Sequence, residues 1–343
     1  MTKQSSGNLM PPGLKYIAES ILTRDNILGA EKKDGAAWAR GLGLPTRGET
    51  VFFAGCGYQF LGRMDALMSL IRRLDKSPLG MELPMKLAEI PRRLGVDAAA
   101  LYQKVFSGNG GDTAGVLGGA VSVLQKLEIE FGYLAKDEPC CGTPLYYSGW
   151  QEAFAQKAAD TYRRFKELGV KRVIGMVPSC TFALKVLYPR FVDGYDIEVK
   201  HFTEVVAENI GKLKLVSPRP VKVAYHDPCQ LGRFLGIYDE PRRILGAIEG
   251  IELVEEPRIS GERATCCGGG GGFETVFPEL SGLLAENRVR EMAVEADMIV
   301  TGCPGCLMQL KDGVKTAGIT GVEVSDLAQV VARAMEVSQI GGV

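Results

Sequence analysis

Ala296-Asp297-Met298-Ile299-Val300-Thr301-Gly302-Cys303-Pro304-Gly305-Cys306 is an apolar, β-branched run of strand length that leads directly into two closely spaced thiols. The same grammar recurs upstream. Val221 to Tyr225 runs through His226-Asp227-Pro228 into Cys229, and Ile251 to Val254 precedes the doublet Cys266-Cys267-Gly268. In the first half, Thr50 to Ala54 leads to Cys56, Leu127 to Tyr133 precedes Cys140-Cys141-Gly142, and Lys171 to Met176 runs into Pro178-Ser179-Cys180. The order is the same, which is the mark of an internal repeat.

Spacing makes the repeat quantitative. Cys141 to Cys180 is 39 positions and Cys267 to Cys306 is also 39, so Cys180 is the counterpart of Cys306. The counterpart of Cys303 lies 36 positions after Cys141 and is Val177, so the first half keeps four of the five cysteines. Beyond the last cysteine, Phe202-Thr203-Glu204-Val205-Val206-Ala207 resembles Leu327-Ala328-Gln329-Val330-Val331-Ala332. Between Cys56 and Cys140 lie 84 positions, against 37 between Cys229 and Cys266. The surplus of 47 is expected as a helical insertion at about 75–115.

Short apolar runs alternate with amphipathic stretches such as Gln151 to Leu168 and Leu280 to Ala296. Such alternation predicts an α/β fold, here two pseudo-symmetric repeats, each a small parallel sheet flanked by helices. Ligands of such sheets bind beyond the carboxyl ends of the strands, where all the cysteines fall. The expected division is an N-terminal helical arm at 1–47, a first repeat at 48–217 and a second at 218–343. The arm carries amphipathic segments at Leu14 to Leu28 and Gly35 to Leu42, which suit either packing on the body or docking a partner.

Composition excludes several classes. The 343 residues are 46% hydrophobic and 24% charged with a net charge of −1, so the chain has a globular balance and no basic footprint for nucleic acid. The longest glycine-rich apolar stretch, Val116 to Leu124, is too short to span a bilayer, and Met1 to Pro12 lacks the apolar core of a signal peptide. A cytoplasmic location is expected. There, nine cysteines point to metal or redox chemistry instead of a disulfide framework, and an odd number could not pair completely.

Cys229, Cys266, Cys267, Cys303 and Cys306 exceed by one the four ligands of a tetrahedral zinc, which favours a polynuclear site. Adjacent Cys266 and Cys267 suit two different irons, or one bridging thiolate, and Gly268 to Gly272 lets the backbone pass close to a bulky inorganic core. Cys56, Cys140, Cys141 and Cys180 could hold a conventional [4Fe-4S] cluster or a four-thiolate zinc.

Over roughly Glu49 to Val331, these motifs together resemble the cysteine-rich CCG-domain family typified by heterodisulfide reductase. The resemblance implies an open, noncubane [4Fe-4S] site on the five cysteines that accepts electrons and touches a disulfide substrate. It also implies a ferredoxin-like iron-sulfur subunit and a flavin-containing subunit as partners. The expected function is disulfide reduction, or thiol oxidation, in a heterodisulfide reductase-like complex. The alternative is an electron relay between a flavin dehydrogenase and a quinone or ferredoxin. Which cluster the first repeat would hold is open, because Val177 removes one ligand.

His226, three residues before Cys229, suits a supporting role beside a ligand, and His201 a structural one. Arg233 and Tyr225 are candidates to meet an anionic substrate. The glycine run after Cys267 is not a phosphate-binding loop, since Phe273-Glu274 stands where Lys-Ser/Thr would follow. No dinucleotide-binding glycine motif or ferredoxin cysteine run is present, so electrons must come from a partner.

Overall fold

The computed structural model describes residues 10–75 and 111–340. Two parallel sheets form the body. The first has the order β1 (Thr50–Phe53), β2 (Arg172–Gly175), β3 (Glu198–His201). In the second, β4 (Val216–Tyr225) lies between β5 (Glu249–Leu253) and β6 (Met298–Thr301), with β7 (Glu323–Asp326) outside β6. The α/β repeat expected from the sequence is therefore what the chain builds. β1, β2 and β6 are buried over their last three residues, as strands covered on both faces should be.

Helices that frame the sites are α1 (Pro12–Arg24), α2 (Gly55–Gln59), α3 (Leu61–Asp75), α4 (Gly111–Lys126), α5 (Gln151–Glu167) and α6 (Pro178–Phe182). They continue as α7 (Phe202–Glu208), α8 (Asp239–Gly246), α9 (Pro278–Met292), α10 (Pro304–Thr316) and α11 (Leu327–Ile340). The insertion expected near 75–115 falls for the most part on residues 76–110, outside the described residues.

Two expectations change in detail. The run Leu127 to Tyr133 forms one parallel bridge instead of a strand: the Phe52 N–H donates to the Gly132 carbonyl at 2.8 Å, and the Gly132 N–H to the Thr50 carbonyl at 2.9 Å. Glu128 sits at φ 58°, and the Tyr133 N–H is taken by the Pro45 carbonyl at 2.7 Å, so the ladder cannot extend. Gly132 nevertheless stands beside β1 where β5 stands beside β4, and the duplication holds. His201 was expected at a strand end, which β3 supplies, whereas β7 was not anticipated. Each has four residues with few apolar positions, too little for an alternation signal.

Corresponding strand ends carry corresponding caps. At the end of β3, His201 Nδ1 accepts the Thr203 N–H at 3.2 Å and its backbone N–H is held by Glu204, so α7 begins with a capping box. At the end of β7, Asp326 Oδ1 accepts the Ala328 N–H at 2.9 Å.

α4 belongs by sequence to the first half but packs along α11 of the second. Its apolar residues Val116, Leu117, Val121 and Leu124 are buried, and a Cβ on Gly119 would lie 3.1 Å from the Ala332 Cβ and 3.3 Å from the Ala328 carbonyl oxygen. The glycine-rich stretch noted in the sequence is thus a close helix contact.

Candidate metal centre

The first cysteine group lies beyond the carboxyl ends of β1 and β2. α2 carries Cys56, α6 carries Cys180, and the loop before Thr143 carries Cys140 and Cys141. Cys141 Sγ is 3.1 Å from Cys180 Sγ and 3.0 Å from Thr143 Oγ1, and the Gly142 N–H donates to Cys140 Sγ at 3.5 Å. The hydrogen bond with Cys140, followed by burial, pushes the Cys56 thiol well up. None of the four is more than 9% exposed.

Polar groups close round this pocket. Glu138 accepts the backbone N–H groups of Ala54 and Gly55, at 2.9 and 2.8 Å, and the Gln59 amide at 2.8 Å. Burial nevertheless raises its carboxyl to about 8. From the arm, Asp25 accepts the Cys140 N–H at 2.9 Å and pairs with Lys157 and Lys32. Val177 fills the place of the missing sulfur: a Cβ on Gly55 would lie 2.7 Å from Val177 Cγ2 and 3.2 Å from Cys180 Sγ. Val177 and Cys303 even share a role, each preceding a proline at a helix start in extended conformation. Only the chemistry differs.

The second group has a different exposure. Cys267 and Cys306 are buried with their sulfurs 3.2 Å apart, Cys229 and Cys303 are half-buried, and Cys266 is exposed, its sulfur accepting the Gly268 N–H at 3.3 Å. Cys229, Cys266, Cys267 and Cys306 line an open cleft, with His226, Arg233 and Tyr238 among the other walls. Hydrogen bonds from Cys266 and Cys306, then His226, hold the Cys267 thiol well below its ordinary range. Burial, with Cys303 and Cys267 nearby, pushes Cys229 up to about 11.

Three devices fix this second group. Gly268 adopts φ +84°, and a Cβ there would lie 2.3 Å from the Ser281 carbonyl oxygen; the Ser281 hydroxyl in turn donates to the Gly268 carbonyl at 2.7 Å. Asp227 receives both Nη groups of Arg242 at 2.8 Å and the Gly261 N–H at 2.8 Å, which ties the loop before Cys229 to the loop before Cys266. His226 is 1% exposed, and its Nδ1 accepts from Arg288 Nε at 3.2 Å.

The structure brings all nine cysteines into two neighbouring groups. A Cβ on Gly57, next to Cys56, would lie 2.9 Å from Pro304 Cγ, next to Cys303. The Tyr58 hydroxyl donates to Asp326, and the Tyr147 hydroxyl to Gln230 Oε1 at 2.6 Å, both across the halves. Arg233 stands at the pocket wall with Nη2 donating to the Ala264 carbonyl at 2.7 Å. Tyr225 is fully buried and away from any substrate approach; its hydroxyl has no hydrogen-bond partner among the described residues and feels the charge of Cys306. A soft, five-sulfur donor set with an unpartnered O–H beside it fits an inorganic sulfide core. His201 joins neither group. Arg288 escaped the sequence reading because it lies far in sequence from His226, and Tyr58 and Glu138 because their partners, Asp326 and the N–H groups of Ala54 and Gly55, are remote in the chain.

Two stretches, residues 117–185 and 223–311, match the cysteine-rich domain, CCG. The EtfAB:quinone oxidoreductase of Syntrophomonas wolfei is 37% identical over 227 residues, covering 63% of this chain and 31% of that protein. One subunit of the dihydromethanophenazine:CoB–CoM heterodisulfide reductase of Methanosarcina acetivorans is 35% identical over 223 residues, covering 63% of this chain and 54% of that protein. One subunit of the fumarate reductase (CoM/CoB) of Methanothermobacter marburgensis is 33% identical over 193 residues, covering 55% of this chain and 37% of that protein. The chain spans about half of these relatives' length or less. Among the described residues, no helix is long and apolar enough to cross a membrane. The cysteine-rich CCG domain is thus matched once in each half of the chain.

Proposed function

We propose that this chain is an iron-sulfur oxidoreductase subunit of a heterodisulfide reductase-like complex. In this reading it reduces a disulfide, or in reverse oxidises thiols, at an open [4Fe-4S] cluster held by Cys229, Cys266, Cys267, Cys303 and Cys306. The observation that supports it is the exposure of this group, with Cys266 exposed and Cys229 and Cys303 half-buried, while all four cysteines of the first group are buried, although Cys56 and Cys140 line a cleft of their own. When bound, such a cluster supplies single electrons and a soft metal face with affinity for sulfur.

The chain's own residues shape the approach. Arg233 offers a positive charge at the wall for an anionic substituent, and the Asp227–Arg242 pair fixes the two loops at the mouth. Reduction of R–S–S–R′ consumes two electrons and two protons and releases two thiols; the electrons come from flavin-containing and ferredoxin-like iron-sulfur partners. Cys56, Cys140, Cys141 and Cys180 hold a second [4Fe-4S] cluster or a structural zinc, and the burial of all four sulfurs suits a group that meets no substrate.

The relay reading, in which electrons pass between a flavin dehydrogenase and a quinone or ferredoxin without disulfide chemistry, has its own support. The two cysteine groups abut, and one relative is an EtfAB:quinone oxidoreductase. Metal and sulfide analysis of anaerobically purified protein comes first: about eight irons mean two clusters, and about four irons with one zinc a mixed pair. The EPR spectrum of oxidised protein is then recorded with and without thiol. A changed spectrum supports disulfide chemistry, an unchanged one the relay, and colourless protein without iron overturns both.

A further inference from the structure

His226 has two ring nitrogens and two neighbours, and the chemistry of one neighbour fixes the other contact. Arg288 Nε carries a proton at any attainable pH, so in its 3.2 Å bond to His226 Nδ1 it can only donate, and Nδ1 can only accept. In the neutral ring the proton then lies on Nε2. The ring also lies beside Cys267, since His226, Cys267 and Cys306 place their donor atoms within 4.8 Å of one another. That trio looks like a metal site by residue type. Arg288 argues otherwise: to ligate through Nε2 while Nδ1 accepts, the ring would have to be an imidazolate.

Arg288 has little freedom to let go. It is 2% exposed, and its Nη1 also donates to the Ile259 carbonyl at 2.9 Å, Thr265 Oγ1 at 3.2 Å and Glu291 Oε2 at 3.1 Å. A buried guanidinium held at four points, with the partly exposed Glu291 as its counter-charge, is a fixed donor and cation one imidazole away from the second cysteine group.

The duplication supplies an internal control. His226 is three residues before Cys229, and the residue three before Cys56 is Phe53. Arg288 is 18 residues before Cys306, and the residue 18 before Cys180 is Tyr162, whose hydroxyl turns away to the Gly194 carbonyl and Asp196. The first group has instead a buried carboxyl, Glu138, near its sulfurs.

We infer that His226, locked by Arg288, is a positioning residue that donates Nε2–H to the Cys267 sulfur and makes the second group the preferred holder of an electron shared between the two. An N–H donor and a cation beside ligand sulfur stabilise the more negative, reduced state. One electron, supplied by the flavin or iron-sulfur partner named above, therefore leaves the first group oxidised and the second reduced, with no proton required. The inference rests on the reading that both groups hold iron-sulfur clusters.

The test is an EPR-monitored redox titration of the full chain, wild type against His226→Phe, which copies the first half, and His226→Gln, which keeps an N–H donor. His226→Phe is expected to lower the second group's preference for the electron at least tenfold, a 59 mV shift for a one-electron couple, and to leave the first group's potential in place. His226→Gln is expected to stay within threefold of wild type. Double-resonance spectra of the wild type should show an exchangeable proton coupled to the second group's signal. Absence of that proton overturns the inference even if His226→Phe does not assemble. So does a His226→Phe shift below twofold, or a His226→Gln shift as large as that of His226→Phe. A protein without iron would overturn the underlying reading as well; iron at both groups with unmoved potentials overturns this inference alone.

Discussion

Val177 and His201 show how much a single side chain decides here. Val177 stands at the position of Cys303 in the other half, and its methyl group occupies the space against Gly55 and Cys180. Val177→Ala is expected to cost about 2 kcal/mol by leaving a cavity. It should also admit thiol reagents to Cys56 and Cys180, which mass spectrometry of labelled peptides would reveal; a variant as unreactive as wild type would remove Val177 from its role as a plug. His201 is a buried cap whose imidazole, desolvated, is lowered to about 4. Its folded value lies below its unfolded value, so its stabilisation is present above about pH 6.5 and is lost as pH falls through 4. A depression of that size corresponds to roughly 3 kcal/mol. His201→Asn keeps a cap acceptor without titrating in this window, and urea titrations at pH 7 and pH 4 should show it losing less stability than wild type. Parallel losses would show that His201 does not carry the acid sensitivity.

Elements were legible where the chain repeats itself and obscure where it borrows from elsewhere. The runs before Cys56, Cys180, Cys229 and Cys306 became β1, β2, β4 and β6 because a buried parallel strand needs a continuous apolar stretch, which is visible locally. The run before Cys140 looked equivalent, but its ladder is cut short by the Pro45 carbonyl, a contact no local pattern encodes. The nine sulfur positions were readable from spacing, yet their unequal exposure was not, since it depends on the arm and on Val177. Gly268 marks where an element-scale rule becomes testable. At φ +84° with a carbonyl oxygen 2.3 Å from any Cβ, Gly268→Ala is expected to destabilise the protein by about 2 kcal/mol. Metal analysis should show a loss confined to the second group; equal loss from both would place the effect in the global fold.

Across the whole molecule, the duplication has yielded two neighbouring sites that differ in access. Metal-free folded protein treated with an alkylating reagent should label the exposed Cys266 and half-buried Cys229 at least tenfold faster than the buried Cys56, Cys140, Cys141 and Cys180, because a reagent must reach the sulfur. Equal rates would mean the first group opens freely. The seam between α4 and α11 carries a consequence for descent. A helix encoded in the first copy is the floor for the last helix of the second, with Gly119 pressed against Ala328 and Ala332. Recombination that swapped one half for a divergent homologue would have to bring a matching small residue at that crossing. The contact ties the two halves together at their backs, while their cysteine positions are free to differ, as Val177 and Cys303 do.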